Sequence, residues 1–241
     1  MRLLWLGLAV LLLARPAVAA APLVVLDPGH GGEADGTKSA RGTLEKTAAL
    51  AIARYCRVYL QKEGVRVRLT RSDDRSLGLS ARPALANRLD ADAFVSIHLN
   101  HSPDPERRGW ETYVLSAESS DELTARLLGR EEGGGPAVSV AAGGSDLAFI
   151  LGDLSRGVAH ERSARLARAI QDAVEGAPAL APSRGLRQAP FTVLSGAEVP
   201  AVLVEVGYLS NAGQAEHLSS SSGQRAAAKV LARGIAQFLG R

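Results

Sequence analysis

Four residues of this 241-residue chain have the types and places that hydrolytic metal chemistry needs. His30 follows Val25-Leu26-Asp27-Pro28-Gly29, and His98 lies in Ser96-Ile97-His98-Leu99-Asn100. Each stands at the carboxyl end of an apolar, strand-like segment, where open α/β sheets place their sites. A histidine taken alone is more often structural than a ligand, so the pair needs a third member. Glu45, at the start of the first helical pattern, supplies one, although a glutamate in a helix's first turn also suits the macrodipole with no metal present. Two imidazoles and one carboxylate make the ligand set of a catalytic zinc with an open fourth position. Glu205 lies inside Pro200-Ala201-Val202-Leu203-Val204-Glu205-Val206-Gly207. A carboxylate buried there is costly unless it is paired, metal-bound or functional; an exposed sheet edge is the alternative. Beside a zinc, such a carboxylate could take the proton of an activated water.

Other chemistries lack their parts. The chain has no Gly-x-Ser-x-Gly elbow, no His-Glu-x-x-His helix and no Gly-x-x-x-x-Gly-Lys loop. Cys56, the single cysteine, falls within a helical pattern and reads as a buried thiol. His101, His160 and His217 read as surface or structural residues.

The elements that must position these groups follow from periodicity. Leu23–Leu26 reads as a buried strand opening into a glycine-rich loop, and Leu44, Ala48, Ile52, Tyr55 and Tyr59 recur at helical spacing up to Leu60, with Gly64 as a stop. Val65, Val67 and Leu69 alternate with polar residues as a strand, and a second helix is predicted over Leu79–Leu89. Ala93–Leu99 and Trp110–Leu115 read as strands, Phe191–Leu194 and Ala201–Val206 as a late pair, and Ser163–Val174 and Ala226–Leu239 as helices. The order predicts an α/β fold, a mixed, mostly parallel sheet flanked by helices on both faces. Residues 116–159 differ: glycine-rich runs interrupt them and no sustained apolar face appears, so they read as an inserted segment, mobile in part.

Residues 1–20 read as an export signal, with Arg2, an apolar run from Leu3 to Leu13, and a small-residue site at Ala17-Val18-Ala19. The run is too short for the ~20 residues of a spanning helix, so no transmembrane segment is predicted in the mature chain. Residues 21–241 remain as one domain. Loss of Arg2 and Arg15 takes the formal charge from +3 to +1, and aromatics are 4%, which together argue against nucleic acid as a partner.

These motifs, with Glu45-Lys46, Leu69-Thr70-Arg71 and Val204-Glu205-Val206-Gly207-Tyr208-Leu209-Ser210-Asn211, give the chain its likeness to a known family. It resembles the zinc-dependent N-acetylmuramoyl-L-alanine amidases of the periplasm and of sporulating bacteria, over nearly the whole mature chain. The resemblance implies a phosphorylase/hydrolase-like fold with a sheet of about six strands, one Zn2+ held by His30, Glu45 and His98, and Glu205 as the catalytic carboxylate. It implies hydrolysis of the amide between the lactyl group of N-acetylmuramic acid and L-alanine of peptidoglycan, in the periplasm or cell envelope. Glu205 would take a proton from water and return it to the leaving amine. Cell-division members carry a helix in the inserted segment that blocks the zinc until an activator protein displaces it. Glu131 is the matching autoinhibitory metal cap, with a solvated charge in a loop as the alternative reading. Arg71, Arg184 and Arg187 are cations that could meet a substrate carboxylate. A zinc peptidase acting on the same wall peptides and a non-catalytic wall-binding module are the rival readings.

Overall fold

The computed structural model describes residues 20–132, 146–178 and 180–241, and of residues 146–156 the main chain alone. β1 (Leu23–Pro28) is buried along its whole length, as a strand with helices over both faces must be. α1 (Glu45–Lys62), β2 (Arg66–Leu69), α2 (Ala81–Arg88), β3 (Ala93–Asn100) and β4 (Trp110–Leu115) follow. Then come α3 (Glu122–Glu131), α4 (Asp146–Glu175), β5 (Ser183–Ala189), α5 (Thr192–Ser195), β6 (Ala201–Tyr208), α6 (Ala212–Ser219) and α7 (Ser221–Phe238).

The six strands form one sheet in the order β2-β1-β3-β6-β4-β5. Every neighbouring pair is parallel except β4 and β6, so the sheet is mixed and mostly parallel, as the alternation predicts. Alternate residues of each strand face opposite layers. Val24, Leu26, Val95, Ile97, Val202 and Val204 pack with residues of α1, α4 and α7. Val25, Phe94, Ala201 and Leu203 pack on the other side with Ala86 of α2, Val193 and Leu194 of α5, and Leu127 of α3. Cys56 is buried in the first layer, where burial pushes its thiol up and keeps it protonated.

Two expectations are corrected. Phe191–Leu194 is not a strand: Phe191 precedes the short helix α5, whose turn closes through Leu194 N donating to Phe191 O at 2.9 Å. A short, mostly apolar segment such as Phe191-Thr192-Val193-Leu194 fits a buried helical turn as well as a strand. The strand beside β4 is instead Ser183–Ala189, an edge strand with one buried residue, Ala189, and so no apolar alternation to reveal it. The inserted segment, in turn, contains a regular helix, α3, and α4 begins well before Ser163. Residues 133–145 of that segment, and residues 1–19 of the expected export signal, lie outside the described residues. Among the described residues no helix is long and apolar enough to cross a membrane.

Candidate metal centre

The parallel register sets His98 of β3 opposite Glu205 of β6, so the two side chains leave the same face of the sheet side by side. β1 ends one residue before Gly29, and the chain turns there, with His30 in a left-handed conformation at φ 56°. The loop that follows returns to the sheet edge to start α1. Glu45 N donates to Thr37 O (2.8 Å) and Lys46 N to Asp35 O (3.2 Å), so loop carbonyls satisfy the helix's first donors. Glu45 is thereby carried under the same edge, fully buried.

His30 Nε2, Glu45 Oε1, His98 Nδ1 and Glu131 Oε2 converge. His30 Nε2 lies 3.1 Å from both Glu45 Oε1 and Glu131 Oε2, and His98 Nδ1 lies 3.1 Å and 2.8 Å from the same two oxygens. The four ligand atoms all lie within 4.8 Å of one another. Glu45 is aimed by two main-chain donors, Leu99 N to Oε1 (2.9 Å) and Thr37 N to Oε2 (2.8 Å). The loop must pass close: a Cβ on Gly36, whose φ is +68°, would lie 2.6 Å from both Glu45 Oε2 and His30 Cδ2.

The donor set fits a divalent metal. His30 Nε2 and Glu131 Oε2 are buried and close, yet neither makes a hydrogen bond among the described residues. Such atoms fail as mutual partners and succeed as ligands of one cation between them. Electrostatics agree. Burial works against charge on His30 and His98, but Glu131 and Glu45 outweigh it and push the rings up to about 10 and about 9. Two carboxylates and two imidazoles so placed require positive charge, either as protons or as a metal.

Glu205 is fully buried, and neither carboxylate oxygen has a hydrogen-bond partner among the described residues. Burial, and then the charges of Glu131, Glu45 and Glu111, push its carboxyl well above the usual range. Glu111 escaped the sequence reading. It lies opposite Glu205 in the antiparallel β4–β6 pair and accepts hydrogen bonds from Tyr113 Oη (2.6 Å), Arg184 Nε (3.0 Å) and Arg107 Nη2 (3.2 Å). The Glu111-Thr112-Tyr113 alternation hinted at a shared face, but its partners come from distant parts of the chain. A cleft of about 330 Å³ opens beside it, lined by Asn100, Arg107, Glu111, Leu123, Arg130 and Tyr208. The larger groove along α7, about 900 Å³, contains none of the converging residues.

The remaining sequence candidates contribute no atom to the ligand cluster. Arg71 is buried in the protein, Arg184 and Arg187 approach Glu111, and His101, His160 and His217 are exposed.

The model of the N-acetylmuramoyl-L-alanine amidase family of the Amidase_3 type matches residues 24–237. AmiA of Escherichia coli is 32% identical over 219 residues, covering 90% of this chain and 75% of that one. AmiC of Neisseria meningitidis is 31% identical over 220 residues, and there the match spans about half of the relative, 53% of its length. The solved structure of amidase AmiC2 of Nostoc punctiforme superposes with a TM-score of 0.65 at 29% identity, covering 91% of this chain and 98% of that one. A match from the first strand to the last helix, on a fold shared with a solved amidase, places the chain in the N-acetylmuramoyl-L-alanine amidase family.

Proposed function

We propose that the chain is an exported zinc-dependent N-acetylmuramoyl-L-alanine amidase that hydrolyses the amide between the lactyl group of N-acetylmuramic acid and L-alanine in peptidoglycan. The observation that carries the reading is the convergence of four ligand atoms within 4.8 Å in a chain of this family. His30, Glu45 and His98 would hold the zinc. When bound, zinc in such a set acidifies water and polarises a carbonyl.

The chain's own residues do the rest. Glu205, next to His98 in the sheet, has no hydrogen-bond partner among the described residues, so its carboxylate is free to meet a water held beside it. It takes the proton of the attacking water and returns it to the amine of L-alanine as the C–N bond breaks. One water is consumed, and the products are a lactyl carboxylate and a stem peptide with a free amine. Glu131 brings its Oε2 from α3 within 3.1 Å of His30 Nε2 and 2.8 Å of His98 Nδ1, so it occupies a fourth ligand position beside the three proposed for zinc. That arrangement supports an autoinhibitory cap, with an activator protein that displaces α3 as its partner. The leader and the peptidoglycan substrate fit work in the periplasm or cell envelope.

The test incubates the protein with purified peptidoglycan, with and without chelator and added zinc, and weighs the released fragments. Zinc-dependent release of stem peptides beginning at a free L-alanine amine is the expected result. Cleavage inside the stem would replace this reading with a peptidase.

A further inference from the structure

Arg71 follows β2, is fully buried, and gives four hydrogen bonds among the described residues, each to a main-chain carbonyl. Nε donates to Pro28 O (3.0 Å), Nη2 to both Gly29 O (2.7 Å) and Lys46 O (2.8 Å), and Nη1 to Asp73 O (3.1 Å). Pro28 and Gly29 lead into His30, and Lys46 follows Glu45. One guanidinium therefore joins the two segments that carry two of the proposed ligands. Arg82 of α2 completes the hold: Nη1 donates to Pro28 O (3.0 Å) and Asp27 Oδ1 (2.9 Å), and Nη2 to His30 O (2.8 Å).

The need for such a hold is visible in the backbone. His30 is one of two described non-glycine residues with positive φ, a conformation that costs energy and persists only where surroundings impose it. Consecutive carbonyls at 28, 29 and 30 all point at guanidinium donors, which fixes the turn against relaxation. The glycine loop leaves room for this. A Cβ on Gly31 would lie 2.9 Å from Arg71 Nε and 2.4 Å from Arg75 O.

We propose that Arg71, assisted by Arg82, is a positioning residue for the metal centre: its planar fork locks the His30 turn to the start of α1, so that His30 and Glu45 meet in ligand geometry before any metal arrives. The role rests on the metal reading above. It differs from a substrate-carboxylate contact, since Arg71 has no exposed surface, and from charge balance, since its donors go to neutral carbonyls. A lysine cannot replace it, because one ammonium on a flexible stem cannot span carbonyls of two segments as a fork does.

The test is Arg71→Lys, read by zinc competition against a chromophoric chelator and by the visible absorption of the cobalt-loaded protein. Groups that orient metal ligands typically change affinity by about 10- to 100-fold when altered. A loss of that size, with an altered cobalt spectrum and a cooperative melt like the parent's, is expected. Parental zinc affinity with an unchanged cobalt spectrum would overturn the proposal. Should Arg71→Lys not fold, the unaltered protein decides: after chelation, the amides of Gly29, Gly31 and Lys46 should remain slow to exchange with deuterium. Exchange at open-loop rates would show that nothing holds the turn without metal. The same titration on the parent protein separates the two readings, because a parent that takes up no zinc overturns the metal site itself.

Discussion

The loop that carries His30 and the helix that carries Glu131 bring ligand atoms to the same point, but different forces hold them there. The loop springs from β1, buried along its length, and its carbonyls are taken by buried guanidiniums. α3 buries only Thr124 and Leu127, and Leu123 is 39% exposed. One buried leucine contributes about 1.5–3 kcal/mol, and exposed ion pairs about 0–1 kcal/mol each. The ends of α3 rest on polar contacts: Asp121 caps Thr124 N and pairs with Arg187, Arg130 donates to Asn100 Oδ1, and Glu132 accepts from Thr192 N. A segment held in this way belongs to the low-stability end of a fold. The loop builds the centre; α3 covers it.

The sharpest division is between holding the metal and using it. Glu205→Gln should lower kcat about 10²- to 10⁴-fold, the usual range for a lost general base. Zinc content should not change, because Glu205 is not among the converging ligand atoms. A substantial residual rate in a zinc-loaded Glu205→Gln protein would remove Glu205 from the chemistry. Gly36→Ala attacks the scaffold side. The added methyl must enter space shared with Glu45 Oε2 and His30 Cδ2, at a φ of +68° that alanine resists. Zinc affinity measured by competition should fall about 10- to 100-fold. An unchanged affinity would mean that the loop yields easily and is no firmer than α3.

The same contrast explains what could be read in the sequence. β1, β3 and β6 are buried on both faces, so they announce themselves as apolar runs; His30 and His98 stand out toward the ends of the first two, and Glu205 inside the third. α1 carries a clear apolar stripe, which brought Glu45 into view. β5 is an edge strand written Ser183-Arg184-Gly185-Leu186-Arg187-Gln188-Ala189, and its pairing with β4 leaves no hydrophobic trace. α3 has few apolar anchors, so its helix hid inside a segment that reads as irregular. Arg71 was visible as a cation beside a strand, but its partners are 42 and 43 residues before it and 25 before it, a separation no local pattern encodes.

If α3 is a cover, removing its ligand atom should help the enzyme. Glu131→Ala should raise basal release of stem peptides about fivefold or more, the lower end of ordinary coupling between a blocking group and a site. Zinc affinity should change less than it does in Gly36→Ala. An unchanged basal rate would make α3 part of the resting catalytic structure and erase the distinction between the two regions.

The smallest effect is thermal and separates protons from metal. In the metal-free protein His30 and His98, ordinarily at 6.5, are raised to about 10 and about 9. A group with a raised folded value stabilises fully below its unfolded value and loses that contribution as pH rises through the folded one. The chelated protein should therefore lose Tm steadily from pH 6.5 to 10. Glu205 adds to the fall, because burial raises its carboxyl and ionising it in place is unfavourable. Glu45 and Glu131 act at the other end. Against their burial, the two histidines hold them below the usual carboxylate range, so their contribution is present above 4.5 and is lost as pH falls below it. Each kcal/mol lost should lower Tm by about 2–4 °C for a domain of this size. Zinc supplies the positive charge that the protons otherwise provide, so the loaded protein should show a flatter profile from pH 6.5 to 9 in scanning calorimetry. Parallel profiles with and without zinc would mean that His30, Glu45 and His98 do not hold the metal.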